Sequence, residues 1–335
     1  MKKMSSEYAA VRDGGAGLID LSASRGRIRV SGSEATMFLN GLVTNDMKAL
    51  GENRWMPAAF ANVQGRLIGA VRIVRGKDPA FLIDTDAASR EGVLKTISRF
   101  TLAGDFRVLD LTDEMAEVTV QGKRAAEIVE KVFETQVTDL PRNGVVETKW
   151  HDVPVMIFRA THTAEDGFDV VIDSGQMNVL QQAIVNAGAQ PISEDVAEIL
   201  RVEAGIALYG RDMDETNVVP ETNLDDAVSY TKGCYVGQEI VVRIKHRGHV
   251  AKKFAGLRLE TARQIAAGTT IKSMDNQEIG RVTSAVVSPA LGETIALGYV
   301  RYEHLAPGTK VVIDGMAATV TELPFIRGSW YQDNG

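Results

Sequence analysis

Three groups of residues have types and spacings that suit chemistry, and each suits a different kind. Glu203 lies in a helical pattern that opens at Ser193, with Val196, Ile199 and Leu200 marking the apolar face. At about 20° from Val196 on the helical wheel, Glu203 falls at the centre of that face. An inward carboxylate costs several kcal/mol unless it is paired or hydrogen-bonded. It is therefore either half of an internal salt bridge or a ligand contact, unless the helix ends first and turns it to solvent. Its two coplanar acceptors suit the adjacent N–H donors of a planar heterocycle such as a pterin or guanine.

The second group is Lys232-Gly233-Cys234-Tyr235-Val236-Gly237-Gln238-Glu239. Two glycines bracket the Cys-Tyr pair, so the backbone can turn sharply or approach a ligand closely. Cys234 is then expected at a loop or helix start, with Lys232 near enough to favour its thiolate; the plain alternative is a small buried hydrophobe. Downstream, Arg243, Lys245 and Arg247 alternate, which on a strand puts all three on one face, and Lys252 and Lys253 extend the charge with no acid between. That run is an anion site or a solvated basic edge strand. Nucleic-acid binding has no support from interleaved aromatics or a recognisable RNA-binding motif. The third group, Asp113-Glu114, places paired carboxylates at a strand entrance, where surface acids in a turn are the usual case. Gly14-Gly15-Ala16-Gly17 lacks the Gly-Lys-Ser/Thr ending of a phosphate loop.

The elements that must position these residues read as α+β. Arg27 to Ser31 is a strand leading to a helix around Glu34 to Leu39, with Gly32-Ser33 at its cap; Ile68 to Val74 and Phe81 to Asp84 form a hairpin across Gly76-Lys77-Asp78-Pro79. Helices follow at 87–100, around Ala125 to Val132 and around Met177 to Ala187, with strands at 106–111, 117–120, 155–159 and 168–172. Beyond Ala251 six strands with regular turns predict a small barrel or sandwich, and Asp314-Gly315 has the composition of a type I′ hairpin turn. No internal repeat is visible.

Composition agrees with a folded chain of two or three domains: 335 residues, 44% hydrophobic and 24% charged. A net charge of -7 argues against a surface built wholly for nucleic acid. No apolar run reaches the roughly 20 residues of a membrane span, and the amino terminus lacks a signal-peptide core, so no membrane partner and a cytoplasmic location are expected. One cysteine, Cys234, cannot form an internal disulfide, and five histidines without ligand spacing predict no metal centre.

At these residues the chain resembles the folate-dependent superfamily of the glycine-cleavage T-protein (aminomethyltransferase). The likeness covers nearly the whole chain: Asp20-Leu21-Ser22 with Arg27 to Gly32, Phe38 to Asp46, Val120-Gln121-Gly122, Arg201 to Asp212, Pro220 to Leu224, Gly280 to Pro289 and Ala296 to Val300. The run Lys232 to Glu239, with Arg243, Lys245, Arg247 and Gly248, is similar to the signature of its YgfZ branch. The resemblance implies a three-lobed ring around a central cavity for tetrahydrofolate, with two interleaved domains in 1–250 (1–50 with 115–250, and 51–114 inserted) and a barrel in 251–335. It implies that Glu203 holds the pterin, with Lys232 and Tyr235 beside it, and that Cys234 is the functional thiol. Arg243, Lys245 and Arg247 then pair with the folate carboxylates, with partner acids or with tRNA. The function so implied is tetrahydrofolate-binding support of iron-sulfur cluster assembly or repair, with iron-sulfur proteins or assembly factors as partners and tRNA-modifying iron-sulfur enzymes among the candidate clients. The alternative is a tetrahydrofolate-dependent aminomethyltransferase in which Asp113 or Glu114 acts on the departing amine.

Overall fold

The computed structural model describes residues 2–78, 80–100 and 104–332, and of residues 2–5 and 247 the backbone only. Pro79 of the expected hairpin turn and the side chain of Arg247 therefore lie outside the described residues. The chain opens with α1 (Lys2–Arg12), β1 (Gly17–Asp20), β2 (Arg25–Ser31), α2 (Ala35–Leu42), β3 (Arg54–Ala61), β4 (Leu67–Arg75), β5 (Phe81–Asp86) and α3 (Ala87–Ser98). It continues through β6 (Arg107–Asp110), β7 (Met115–Gln121), α4 (Ala125–Phe133), β8 (Val145–Trp150), β9 (Val153–Arg159), β10 (Gly167–Asp173), α5 (Met177–Ala187), β11 (Gln190–Pro191), α6 (Glu194–Glu203) and α7 (Gln238–Arg247). Six strands follow: β12 (Lys252–Leu259), β13 (Thr270–Ser273), β14 (Glu278–Ser288), β15 (Glu293–Arg301), β16 (Lys310–Ile313) and β17 (Met316–Thr321).

The first lobe is a sheet of order β11-β1-β7-β10-β9-β8, and the second a sheet of order β3-β4-β5-β2-β6. Helices α4 and α5 cover one face of the first through Ile128, Val129, Leu180 and Ile184; α2 and α3 cover the second through Leu39, Val93 and Ile97. The opposite faces pack on each other through Val74 and Leu82 against Val145, Phe158 and Val171. A sheet covered on both faces needs strands buried throughout, which is why β5 and β7 lack the outward polar alternation of a solvated sheet. The third lobe is a closed six-stranded barrel, β12-β15-β14-β13-β16-β17, and the Asp314-Gly315 turn between β16 and β17 has positive φ at both residues (50° and 75°).

Two expectations about organisation are corrected. The inserted lobe runs from β2 to β6, not from residue 51, because β2 pairs with β5 and β6. A repeat is also present: β1-turn-β2-α2 and β6-turn-β7-α4 start at Gly17 and Arg107 and keep that offset element by element. Only five residues between positions 17 and 35 match their counterparts (Asp20, Leu21, Val30, Gly32 and Ala35 with Asp110, Leu111, Val120, Gly122 and Ala125), so it is faint as text. Each copy lends its first strand to the other's sheet, β1 pairing with β7 and β6 with β2. The bonds are reciprocal as well: Leu21 N–H donates to Glu117 O (2.9 Å) and Leu111 N–H to Arg27 O (2.8 Å). Gly32 and Gly122 both have positive φ, and a Cβ on either would lie under 3.0 Å from backbone.

Candidate functional site

Glu203 ends α6 fully enclosed, as its position on the wheel predicts. Ser193 does hold the N-cap position, but its hydroxyl donates to Glu7 (2.5 Å) and ties α1 to α6. The partners of Glu203 come from far along the chain. Tyr8 Oη lies 2.8 Å from Oε1 and 3.0 Å from Oε2, Arg12 reaches Oε2 from Nε (3.2 Å) and Nη2 (2.8 Å), and Ser288 Oγ donates to Oε1 (2.6 Å). Those donors fill the carboxylate, and α1, α6 and β14 meet on it. No acceptor is left for a pterin edge while α1 stays docked.

From Glu203 the chain crosses between the lobes. Arg201 binds Asp212 (2.7 Å), whose other oxygen accepts from Thr283 (2.5 Å) and Ser284 (2.7 Å) of the barrel. Tyr209 N–H donates to Asp86 at the end of β5 (2.9 Å). Lys232, expected beside the thiol, sends its ammonium the other way, donating to the carbonyls of Asn40 (2.7 Å), Val43 (3.0 Å) and Asn45 (2.7 Å) at the end of α2. All three ammonium protons are used there, so the expected stabilisation of a Cys234 thiolate by Lys232 falls; burial pulls the Lys232 ammonium down to about 8. Cys234 is exposed, while Tyr235 is buried with a hydroxyl that has no partner among the described residues, pushed up to about 12 by burial and by Tyr230.

The basic strand is not a strand. Residues 238–247 form α7, starting at Gly237 with φ 84°, where a Cβ would lie 2.5 Å from Asn62 O. The β-branched run Ile240-Val241-Val242 reads as a strand, but Val241 packs with Ala59, Leu67 and Met213, and tertiary burial overrides propensity. Positions 243 and 247 now lie one turn apart with 245 on the other side, so no three-cation face forms. Lys245 instead sits over the Tyr230 ring (5.3 Å). Asp113 and Glu114 are exposed in the turn before β7; the Asp113 carbonyl accepts from Ser174 Oγ (3.1 Å).

Sequence reasoning missed a cluster between the two sheets. Arg72 of β4 pairs with Asp84 of β5, Asp169 of β10 and Glu117 of β7 (3.0 Å), and Arg25 of β2 pairs with Asp84 (2.6 Å) and Asp86 (2.5 Å). His162 Nε2 meets Asp169 (2.9 Å). Burial raises the carboxyls, but Arg25 and Arg72 hold Asp84 below its ordinary value, and His162 and Arg72 do the same for Asp169. Glu117 goes the other way: burial, reinforced by Asp84, pushes it up to about 8. Among the described residues its Oε2 has no hydrogen-bond partner, nor do Nε and Nη1 of Arg27, which approaches at 3.8 Å. Arg27 and Glu117 are counterparts in the repeat. The readable signal was Arg25-x-Arg27, Arg72 and Asp84-x-Asp86, charges set within apolar strands.

Among the described residues no group of three or more His, Cys, Asp or Glu is placed to hold a metal, and no helix is long and apolar enough to cross a membrane. The GCVT N-terminal domain matches residues 1–232 and the glycine cleavage T-protein C-terminal barrel domain matches residues 252–326. The aminomethyltransferase of Rubrobacter xylanophilus is 33% identical over 96% of this chain and 86% of its own length; that of Thermotoga neapolitana is 30% identical over 96% and 89%. The glycine cleavage system aminomethyltransferase T of Bartonella henselae shares the fold, with a TM-score of 0.89 at 22% identity, covering 97% of this chain and 90% of that one. These likenesses overturn the expected role in iron-sulfur cluster assembly or repair, with its iron-sulfur and tRNA partners. They favour the alternative.

Proposed function

The chain belongs to the glycine-cleavage T-protein family, and from that premise we propose that it is a tetrahydrofolate-dependent aminomethyltransferase of the cytoplasm. The observation that carries this reading is coverage: both family domains occur in order, and relatives of that name match from end to end. The reaction would join an aminomethyl group, carried as a thioether-like adduct on a reduced lipoyl carrier, to tetrahydrofolate, giving methylenetetrahydrofolate, ammonia and the freed dithiol. Tetrahydrofolate supplies the two amines that accept the carbon.

Glu203 does not fit the pterin as the protein is folded, because Tyr8, Arg12 and Ser288 occupy its oxygens. We derive no step through it. Its work is to lock α1 and the barrel to α6, as Lys232 locks the following loop to α2. The likeness of Lys232 to Glu239 to the YgfZ branch is read as a variation of this loop. Asp113 and Glu114, exposed in their turn, receive no catalytic role.

The test is a transfer assay with purified protein, an aminomethyl-loaded lipoyl carrier protein and tetrahydrofolate, run beside an active T-protein. Ammonia and methylenetetrahydrofolate should appear together, and only when folate is present. Silence from this protein while the reference enzyme turns over would sink the proposal.

A further inference from the structure

The loop between β9 and β10 belongs to the first lobe and touches segments of the other two. Arg12 of α1 reaches its Thr163 carbonyl (2.7 Å) and Glu165 (3.0 Å), and Ser329, beyond the barrel, binds Glu165 through its backbone N–H (2.8 Å) and hydroxyl (2.6 Å). From the second lobe, Trp55 Nε1 donates to Arg159 O just before the loop (2.8 Å). Ligand sites favour such junctions. His162 stands in this loop, its backbone N–H donating to Gln121 Oε1 (3.0 Å).

The His162 ring is held at one end only. Nε2 lies 3.1 Å and 2.9 Å from the two oxygens of Asp169, which is fully enclosed and also paired with Arg72. Burial raises the Asp169 carboxyl, but His162 and Arg72 hold it below its ordinary value, so it stays a carboxylate. A carboxylate only accepts, which places the proton of a neutral imidazole on Nε2. Nδ1 has no hydrogen-bond partner among the described residues, yet the side chain is 22% exposed and Nδ1 is not sealed from solvent as Glu117 Oε2 is. Behind Asp169 stand Arg72 of β4, Glu117 of β7, Asp84 of β5 and Arg25 of β2, while Arg12 and Glu165 flank the loop; none of them bonds to Nδ1. A fastener would use both nitrogens, as Glu203 uses both oxygens. An imidazole fixed through one nitrogen by a buried carboxylate, with the other nitrogen bare and reachable, has the arrangement of a general base.

We infer that His162 is the proton acceptor and donor for an amine substrate at this junction, with Asp169 as its positioning residue. Nδ1 takes the proton of an attacking N–H as that nitrogen bonds to carbon, and returns it to the nitrogen or sulfur whose bond to the same carbon breaks. Atoms and charge balance with no oxidant or reductant. In the reaction proposed above, the attacking nitrogens belong to tetrahydrofolate and the groups that leave are ammonia and the lipoyl thiol. The identity of the amine rests on that reading; the open base does not.

Two measurements test the inference. His162→Gln keeps a donor for Asp169 and loses the bare nitrogen. In the transfer assay its kcat should fall about 10²- to 10⁴-fold with KM within about 3-fold, and the wild-type loss of rate on acidification should disappear. His162→Ala should regain part of its rate from added imidazole. Independently of transfer, diethyl pyrocarbonate acylates an unprotonated imidazole nitrogen and should modify His162 in the native full chain, read by mass spectrometry of its peptide. Asp169→Asn should slow that acylation about 10-fold or more, because an amide N–H donating to Nε2 moves the proton to Nδ1. If the wild type transfers nothing, the proposed function fails and the reagent alone decides: modification keeps the open base, and inertness overturns it. In an active enzyme, a folded His162→Gln with unchanged kcat and pH profile, or a native His162 inert to the reagent, overturns the inference.

Discussion

Glu117 and Glu203 are both wholly enclosed, the first between the two sheets and the second among α1, α6 and the barrel, yet their surroundings differ in kind. Glu203 has donors from two other elements, Tyr8 and Arg12 of α1 and Ser288 of β14, and no lone pair to spare. Glu117 shares Arg72 with two aspartates and keeps an oxygen without a hydrogen-bond partner among the described residues. The difference teaches that burial does not decide what a carboxylate does; the number of donors aimed at it does. Where donors suffice, the group is a fastener between elements. Where acids outnumber nearby cations, one acid must hold a proton, and Glu117, furthest from full pairing, holds it.

The sharpest way to break the comparison is to remove the shared cation. Arg72→Met leaves Asp84, Asp169 and Glu117 facing one another without their bridge, and stability measured by urea unfolding should fall by about 3–5 kcal/mol. A loss under about 1 kcal/mol would mean that the sheets are held by Val74, Phe158 and their neighbours alone. Next comes Glu203→Gln, which keeps the shape but weakens charge-assisted bonds from Arg12, Tyr8 and Ser288; about 1.5–3 kcal/mol should be lost at pH 7. An unaffected melting temperature there would undo the fastener reading.

Glu117→Gln should behave differently, through pH. Folded Glu117 titrates near 8 against an ordinary 4.5, so between those values the folded protein binds more protons than the unfolded chain. Its contribution is fully present below about 4.5 and is lost as pH rises to 8. Asp84 and Asp169, held low, contribute oppositely and lose their share only in acid. Melting temperatures from pH 6 to 9 should decline in the wild type and decline less in Glu117→Gln; parallel curves would place the proton elsewhere. The smallest effect belongs to a side chain outside both clusters. Cys234 is exposed, so it should alkylate in the native protein, and Cys234→Ser should change stability by no more than about 0.5 kcal/mol. Alkylation only after unfolding would contradict that exposure.

The same contrast explains what the sequence could disclose. The phase of α6 turns Glu203 inward, and that much is local; its partners Tyr8 and Arg12 lie about 190 residues away, and no periodicity reaches so far. The barrel strands were legible because they are short apolar runs punctuated by turns of recognisable chemistry, such as Asp314-Gly315. Residues 238–247 were not, because Ile240, Val241 and Val242 favour a strand until Val241 is buried against Leu67. The lobe boundary failed for a related reason: nothing near Arg25 to Ser31 announces that β2 will pair with Phe81 to Asp86. The cluster around Arg72 was spread over five strands, and its charges gain meaning only when the sheets face each other.

The exchange of β1 and β6 sets a timetable for the growing polypeptide. Residues 17–20 leave the ribosome about a hundred residues before β7, the strand they will lie against, and the second sheet lacks its last strand until β6 has been made. Neither half can finish alone, so β1 must stay unpaired through most of the synthesis of its neighbour. A segment of four residues, ending in the exposed Asp20, is short enough to wait without offering a long sticky edge.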